Sequence, residues 1–282
     1  MMKSNNLQSL SIKKLLVTLI MLLVGAIFLL PFVWMLVTSF KFEEDVFHYP
    51  IQWLPVRWHI FENYKEVWMG KYPFSLYYWN SLKVAVATTF VSVIVSSLAA
   101  FAFGKLQFKG KNFLFLLILL LYMVPAQATL VPQFLTFKWL NLYDSHLGMV
   151  LLHSFSVFGT FMLRQFFVGI HPEFIESAKM DGAGYYKIFT RIALPLVRPA
   201  IATYAILRFI WTWNDYQTPL IFIRNEALYT IQIGMSQFAD GEGQFYALTM
   251  TGAVSAIIPL LIVFLIAQKN VIAGIAVGGV KG

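Results

Sequence analysis

The chain has 282 residues, of which 59% are hydrophobic and 12% charged, and its mean hydropathy of +0.70 lies outside the range of soluble domains, so its solvent is a bilayer. The absence of cysteine excludes disulfides, thiolate metal sites, cysteine nucleophiles and lipid attachment through cysteine, and leaves the redox compartment open. The net charge of +8 has no contiguous basic face to carry it, so it argues for membrane orientation and against a nucleic-acid partner.

Crossing ~30 Å of hydrocarbon takes roughly 20 apolar residues in a helix. After a basic N-terminal segment, 1–14, the first such run lies between Lys14 and Lys41. It is too long for a secretory signal and lacks a small-residue cleavage site, so it is expected to remain as an anchor. The aromatic-rich stretch 42–78 reads as an interfacial cap, because Trp and Tyr favour the headgroup level. Residues 15–70 thus form the first span with its external segment. The second span lies between Lys83 and Lys105, preceded by Asn80-Ser81-Leu82, and the third between Lys111 and Lys138, with Pro125 and Pro132 around its end.

The fourth run lies between Asp144 and Arg164 and carries His146 and His153, whose spacing of seven suits packing better than zinc ligation. A polar island follows, in which Phe174, Ile175 and Ala178 share one helical face while Glu173, Glu176 and Lys179 lie on another, a spacing that permits a Glu176–Lys179 pair. Gly182 can take the positive φ that ends this helix. A second short helix places Tyr185, Ile188, Phe189 and Ile192 together, and Pro195 closes it. By periodicity alone the island is either an amphipathic linker resting on headgroups or a docking element for a partner.

The fifth run, about 197–223, contains Arg208 and Asp215, seven apart and so about 10.5 Å along a helix, too far for direct pairing. Arg208 is expected to be an interhelical hydrogen-bond anchor or to line a pathway, and Asp215, an ionised group within an apolar run, must face protein or water. A loop with Gln237, Asp240 and Glu242 precedes the sixth span, which lies between Glu242 and Lys269, and a glycine-rich tail, 268–282, ends the chain. The expectation is an all-α polytopic protein with six spans, residues 71–267 forming a five-helix core.

Basic residues near span ends stay on the cytoplasmic side. Segments 1–14, 105–111, 164–198 and 268–282 carry +3, +3, +2 and +2, whereas 41–83, 134–146 and 222–247 carry 0, 0 and −2. Both termini and the island are therefore expected in the cytoplasm.

The run Glu176-Ser177-Ala178, Asp181-Gly182-Ala183, then Ile192, Leu194 and Pro195, resembles the EAA loop of ABC importer permeases, with Ser177 in place of the usual middle alanine. Asn80-Ser81-Leu82, Arg164-Gln165-Phe166, Trp213-Asn214-Asp215, Pro219-Leu220 and the terminal Gly278-Gly279-Val280-Lys281-Gly282 extend the resemblance, most closely to carbohydrate permeases of the maltose-transporter type. That resemblance implies a type I importer permease in a bacterial inner membrane. It would pair with a second, different permease, two ATPase subunits and an extracytoplasmic sugar-binding protein.

The sequence has no G-x-x-x-x-G-K-[ST] phosphate cradle, so the chain is expected to hold no cofactor and to catalyse nothing, with ATP and magnesium bound on the ATPases. By resemblance, Glu176, Ser177, Ala178, Asp181, Gly182 and Ala183 couple to the ATPases, Gln268, Gly279, Lys281 and Gly282 reach between them, Gln237, Asp240 and Glu242 meet the binding protein, and Trp213, Asn214 and Asp215 are pathway or gate candidates, with a structural or gating role for Asp215. An ion-coupled secondary transporter or channel remains the rival, and a membrane-embedded enzyme a third class. No internal repeat supports the first, and the acids and histidines are scattered between opposite faces, which disfavours the second.

Overall fold

Within hydrocarbon no water can satisfy backbone N–H and C=O groups, so a chain this apolar must bond them to itself, and it does so almost entirely as helices. The computed structural model describes the backbone of residues 3–240 and 243–279, and the side chains of 12–238, 245–266 and 268. In order, the helices are α1 (Lys3–Thr38), α2 (Ile60–Met69), α3 (Phe74–Lys105), α4 (Lys111–Tyr122), α5 (Ala126–Trp139), α6 (His146–Leu152) and α7 (Val157–Val168). Next come α8 (Pro172–Met180), α9 (Tyr185–Ile188), a π-helical turn (Phe189–Ala193), α10 (Leu194–Leu196), α11 (Arg198–Trp213), α12 (Gln217–Phe222) and α13 (Ile231–Ser236). A two-residue antiparallel ladder, β1 (Ala239–Asp240) with β2 (Gly243–Gln244), precedes α14 (Tyr246–Gly279).

Three helical stretches are long and apolar enough to cross alone: Ile12–Thr38, Phe74–Lys105 and Tyr246–Ile266. Three bent pairs supply further candidates: α4 with α5 at 101°, α6 with α7 at 48°, and the α9–α10 segment with α11 at 80°, giving six crossings if each pair is one span. Several expected spans are thus reshaped. The third is broken because Pro125 has no N–H and disfavours helical φ/ψ at Val124. The fifth stops at Trp213 and restarts as α12. The second begins nine residues before Lys83, so Asn80 and Ser81 lie inside α3 instead of opening it.

The chain divides into two units, Met1–Tyr72 with Met235–Ala256, and Pro73–Gly234 with Ile257–Gly282. The loop before the sixth span, with the start of that span, groups with the N-terminal segment.

In the first unit, the most apolar stretch of α1 buries none of its residues within the chain. Beyond it the chain turns on polar clips: the buried Asn63 amide donates to the carbonyls of Ser39 (3.0 Å) and Lys41 (2.8 Å), and the Thr251 hydroxyl donates to Ser39 O (3.3 Å). The buried Lys41 ammonium donates to Gln52 O and lies 4.5 Å from the Trp34 ring centroid; burial lowers its pKa, which Asp45 opposes. Arg57 grips Asp45 through two hydrogen bonds, which hold that carboxyl below its ordinary range. Both Glu43 carboxylate oxygens accept the first amides of α14, from Tyr246 (2.7 Å) and Ala247 (2.8 Å), satisfying donors that a helix start leaves orphaned.

In the second unit, α3 packs on α7 and α11 through small residues, the usual way helices approach closely without a hydrophobic driving force between them. Tyr204 of α11 shares hydrogen bonds with Ser92 (2.8 Å) and Ser96 (3.3 Å), and its ring fills the space beside Gly159. A Cβ at Gly159 would stand 2.2 Å from Tyr204 Cζ.

Gly159→Ala should therefore lower the thermal midpoint in detergent, by about 1–3 kcal/mol of stability, and Tyr204→Leu in the same chain should recover part of the loss, whereas Tyr204→Phe should not. Glu43→Ala should cost about 1 kcal/mol and speed hydrogen exchange selectively at the start of α14.

Candidate functional site

The polar island folds as a bent pair of helices. Pro172 sits in the first turn of α8, where its missing N–H costs nothing, and Glu173 faces the positive helix end. The helix ends with Gly182 N–H donating to Lys179 O and Ala183 N–H to Ala178 O, both 2.9 Å, around Gly182 at φ +76°. A Cβ at Gly182 would meet nothing within 4 Å, so the glycine answers to the backbone angle and not to crowding. The second arm runs through Pro195 to Leu196, one residue beyond the closure expected at the proline. The π-helical turn, ending at Ala193 two residues before Pro195, widens the ladder where the ring would clash with a carbonyl of the preceding turn.

Two faces of this element do different work. Ile175, Ala178, Ile188, Phe189 and Ala193 are buried in an apolar cluster of the second unit, together with Phe101 of α3 and Phe167 of α7. The Phe101 ring centroid lies 5.7 Å from Phe167 and 5.1 Å from Phe189. Entry into α8 is clamped from α3, since Lys105 Nζ donates to Ile170 O (2.6 Å). On the other face Glu176, Ser177 and Asp181 are exposed, beside Met180 (89% exposed) and Tyr186 (79%). Ala183 is half-buried, and a cleft of about 310 Å³ opens at the bend between Lys179 and Tyr185.

Phe174 and Tyr185, grouped by periodicity with residues of the packed face, are more than half exposed, because the packed surface of each short helix is narrower than its apolar stripe. The Glu176–Lys179 pair is not among the ion pairs of the described residues; Lys179 lies over the Tyr185 ring, 5.1 Å from its centroid. Exposed carboxylates interleaved with exposed large apolar side chains, on an element whose other face is fixed, make a surface suited to a protein partner.

The fifth-span candidates divide. Trp213, expected at a pathway or gate, is 1% exposed and packs with Phe209 and Tyr78, so it serves as core. Asn214 is exposed and its amide returns to Ile210 O of its own helix (2.9 Å). Arg208 and Asp215 do not pair with each other, but both meet His153: Arg208 Nη2 donates to its carbonyl (2.8 Å), and Asp215 Oδ2 lies 3.2 Å from its Nε2. Asp215 stands beyond the end of α11, so the helical rise never separated the two charges. Its other oxygen accepts from Thr218 N (3.1 Å) and starts α12. The cluster bridges the break between α6 and α7 to the break after α11.

Sequence reasoning missed His153 as a partner; an Asp just ahead of α12 was a readable capping signal for Asp215 alone. It also missed the clip in which the Asn80 amide donates to Ala227 O (2.8 Å) and Tyr229 O (3.0 Å) while Ile231 N–H donates to Ser81 Oγ (2.7 Å). These partners lie about 150 residues away, beyond any local pattern.

Of the external candidates, Gln237 is half-buried with its Oε1 enclosed, Asp240 lies on the backbone of β1, and Glu242 lies outside the described residues. Of the tail candidates, Gln268 is half-buried and bonds Leu265 O of its own helix (3.0 Å), the Gly279 backbone ends α14, and Lys281 and Gly282 lie outside the described residues. No cluster of three or more acids and histidines suited to a metal occurs among the described residues.

Comparison with known proteins identifies this architecture. Residues 92–277 match the family described as "Binding-protein-dependent transport system inner membrane component". The chain is 32% identical over 273 residues to the arabinooligosaccharides transport system permease protein AraQ of Bacillus subtilis (strain 168), covering 96% of this chain and 97% of that one. It is 31% identical to the galactooligosaccharides transport system permease protein GanQ of the same strain, over 79% and 80% of the two chains. A chain from the crystal structure of a bacterial ABC transporter involved in the import of the acidic polysaccharide alginate superimposes with a TM-score of 0.81 at 24% identity, covering 93% of this chain and 97% of that one, which establishes the shared fold. The chain belongs to the inner-membrane components of binding-protein-dependent transport systems, the permeases of ABC importers, which are not themselves the ATP-hydrolysing subunits.

Proposed function

We propose that this permease passes a sugar or oligosaccharide, delivered by an extracytoplasmic binding protein, and is driven by two ATPase subunits that grip its bent element from the cytoplasm. The observation that carries the reading is the two-faced geometry of α8 to α10. The inner face belongs to the same apolar cluster as α3, α7 and α11, while Glu176, Met180 and Tyr186 stand free on the outer face. An ATPase that holds the outer face and moves on closing around ATP and magnesium would turn the spans as a body, opening the pathway to alternate sides. The oligosaccharides named for the relatives support the substrate class.

The charge distribution supports cytoplasmic termini, with the tail residues Gln268, Gly279, Lys281 and Gly282 close to the ATPases. The apolar, unpacked face of α1 suits contact with lipid and with a second, different permease. The loop residues Gln237, Asp240 and Glu242 would meet the binding protein on the opposite side. Arg208, His153 and Asp215 act in this reading as a brace that keeps two broken spans in register, with no contact to the transported sugar. An ion-coupled transporter working alone has no use for the exposed outer face.

In reconstituted transporter, Glu176→Ala should reduce ATPase stimulation by loaded binding protein several-fold. Gly182→Ala should do so more mildly, because φ +76° costs a residue with a Cβ about 1–2 kcal/mol. Full coupling in both variants, or uptake by the chain alone without nucleotide, would remove the lever. Arg208→Met should lower the thermal midpoint by several degrees and leave the order of substrate preference unchanged; an altered order of preference would move Arg208 into the pathway.

A further inference from the structure

We infer that the corner where the end of α3 meets the start of α4 binds the phosphate of an anionic phospholipid. An open cleft of about 450 Å³ lies there, lined by Gln107, Lys111, Asn112 and Arg164, with Phe108 and Phe113 as its apolar walls. Arg164 is oriented in advance: its Nε donates to Phe103 O (3.1 Å) and its guanidinium carbon lies 4.2 Å from the Phe115 ring centroid. Its Nη groups have no protein acceptor among the described residues. Lys111 gives one donor to Leu106 O (2.8 Å) and keeps two.

Charge makes the same demand. Residues 103–115 hold Lys105, Lys109 and Lys111 and no acid, Arg164 adds a fourth cation, and none of the four belongs to an ion pair among the described residues. Gly110, at φ +81°, begins α4 without a side-chain cap, so the positive end of that helix adds to the corner. Positive loops are needed for orientation, but orientation does not require them to converge on a donor-lined cleft. An anion with several acceptor oxygens relieves both the repulsion and the unused donors.

The surroundings select a lipid over free phosphate. On α4, immediately beside the cleft, Phe113, Leu116 and Leu117 are exposed at 64%, 52% and 41%, an apolar surface along which acyl chains would lie. A headgroup phosphate in the cleft with its chains on α4 satisfies both halves of the site. The inference needs only that α3 and α4 lie in a membrane, and it stands apart from the sugar and ATPase readings.

The transporter purified in a mild nonionic detergent would be titrated with phosphatidylglycerol, phosphatidylcholine or inorganic phosphate, reading thermal midpoint and lipid adducts retained in native mass spectrometry. Phosphatidylglycerol should raise the midpoint and remain bound, and the other two should not. Lys109→Gln with Lys111→Gln should weaken its binding about twenty-five-fold, taking about five-fold per cation near a surface, while Lys65→Gln with Lys138→Gln should change it less than two-fold. Equal responses to the two lipids in the unaltered protein, an equal shift with inorganic phosphate, or equal weakening by both variant pairs would each overturn the site.

Discussion

An element can pass force to the spans only if it is fixed at one face and free at the other, and the bent element of this permease, which we propose as such a lever, is fixed by apolar burial. Ile175, Ala178, Ile188 and Phe189 are inserted among Phe101 and Phe167, so α8 and the arm after it move with the spans or not at all. Close-packed aromatic contacts make that joint stiff, since an interior at this density offers few alternative arrangements. The Gly182 turn and the Lys105 clamp then set where the free face points. The proposed grip of an ATPase on the outer surface depends on this joint.

A second theme is the use of polar side chains as clips where apolar packing cannot discriminate. In a bilayer, one apolar face is as good as another for lipid, so register must come from small-residue contacts and hydrogen bonds. Tyr204 with Ser92 and Ser96 sets α3 against α11, and Asn80 with Ser81 holds the 227–231 segment. The Arg208–His153–Asp215 cluster joins two helix breaks, supplying partners to backbone groups that the breaks release. Polar residues that look like pathway candidates in a hydrophobic sequence can thus be consumed by the fold itself. The lipid corner is the opposite case, where cations and donors outnumber the partners the chain supplies.

What the sequence determined by itself was whatever rests on composition and local pattern. Apolar runs of sufficient length fixed the membrane class, because each residue's transfer preference adds independently of its neighbours. The Glu176-to-Pro195 motif and Gly182 fixed the bent element, because a glycine-permitted turn between two short helices is local physics. Only the tertiary structure decided how the spans break, that Trp213 is core, that Glu43 caps a helix some two hundred residues later, and that Asp215 meets His153. Those outcomes depend on which helix faces come together, and pairings across long separations leave no periodicity in the chain to be read.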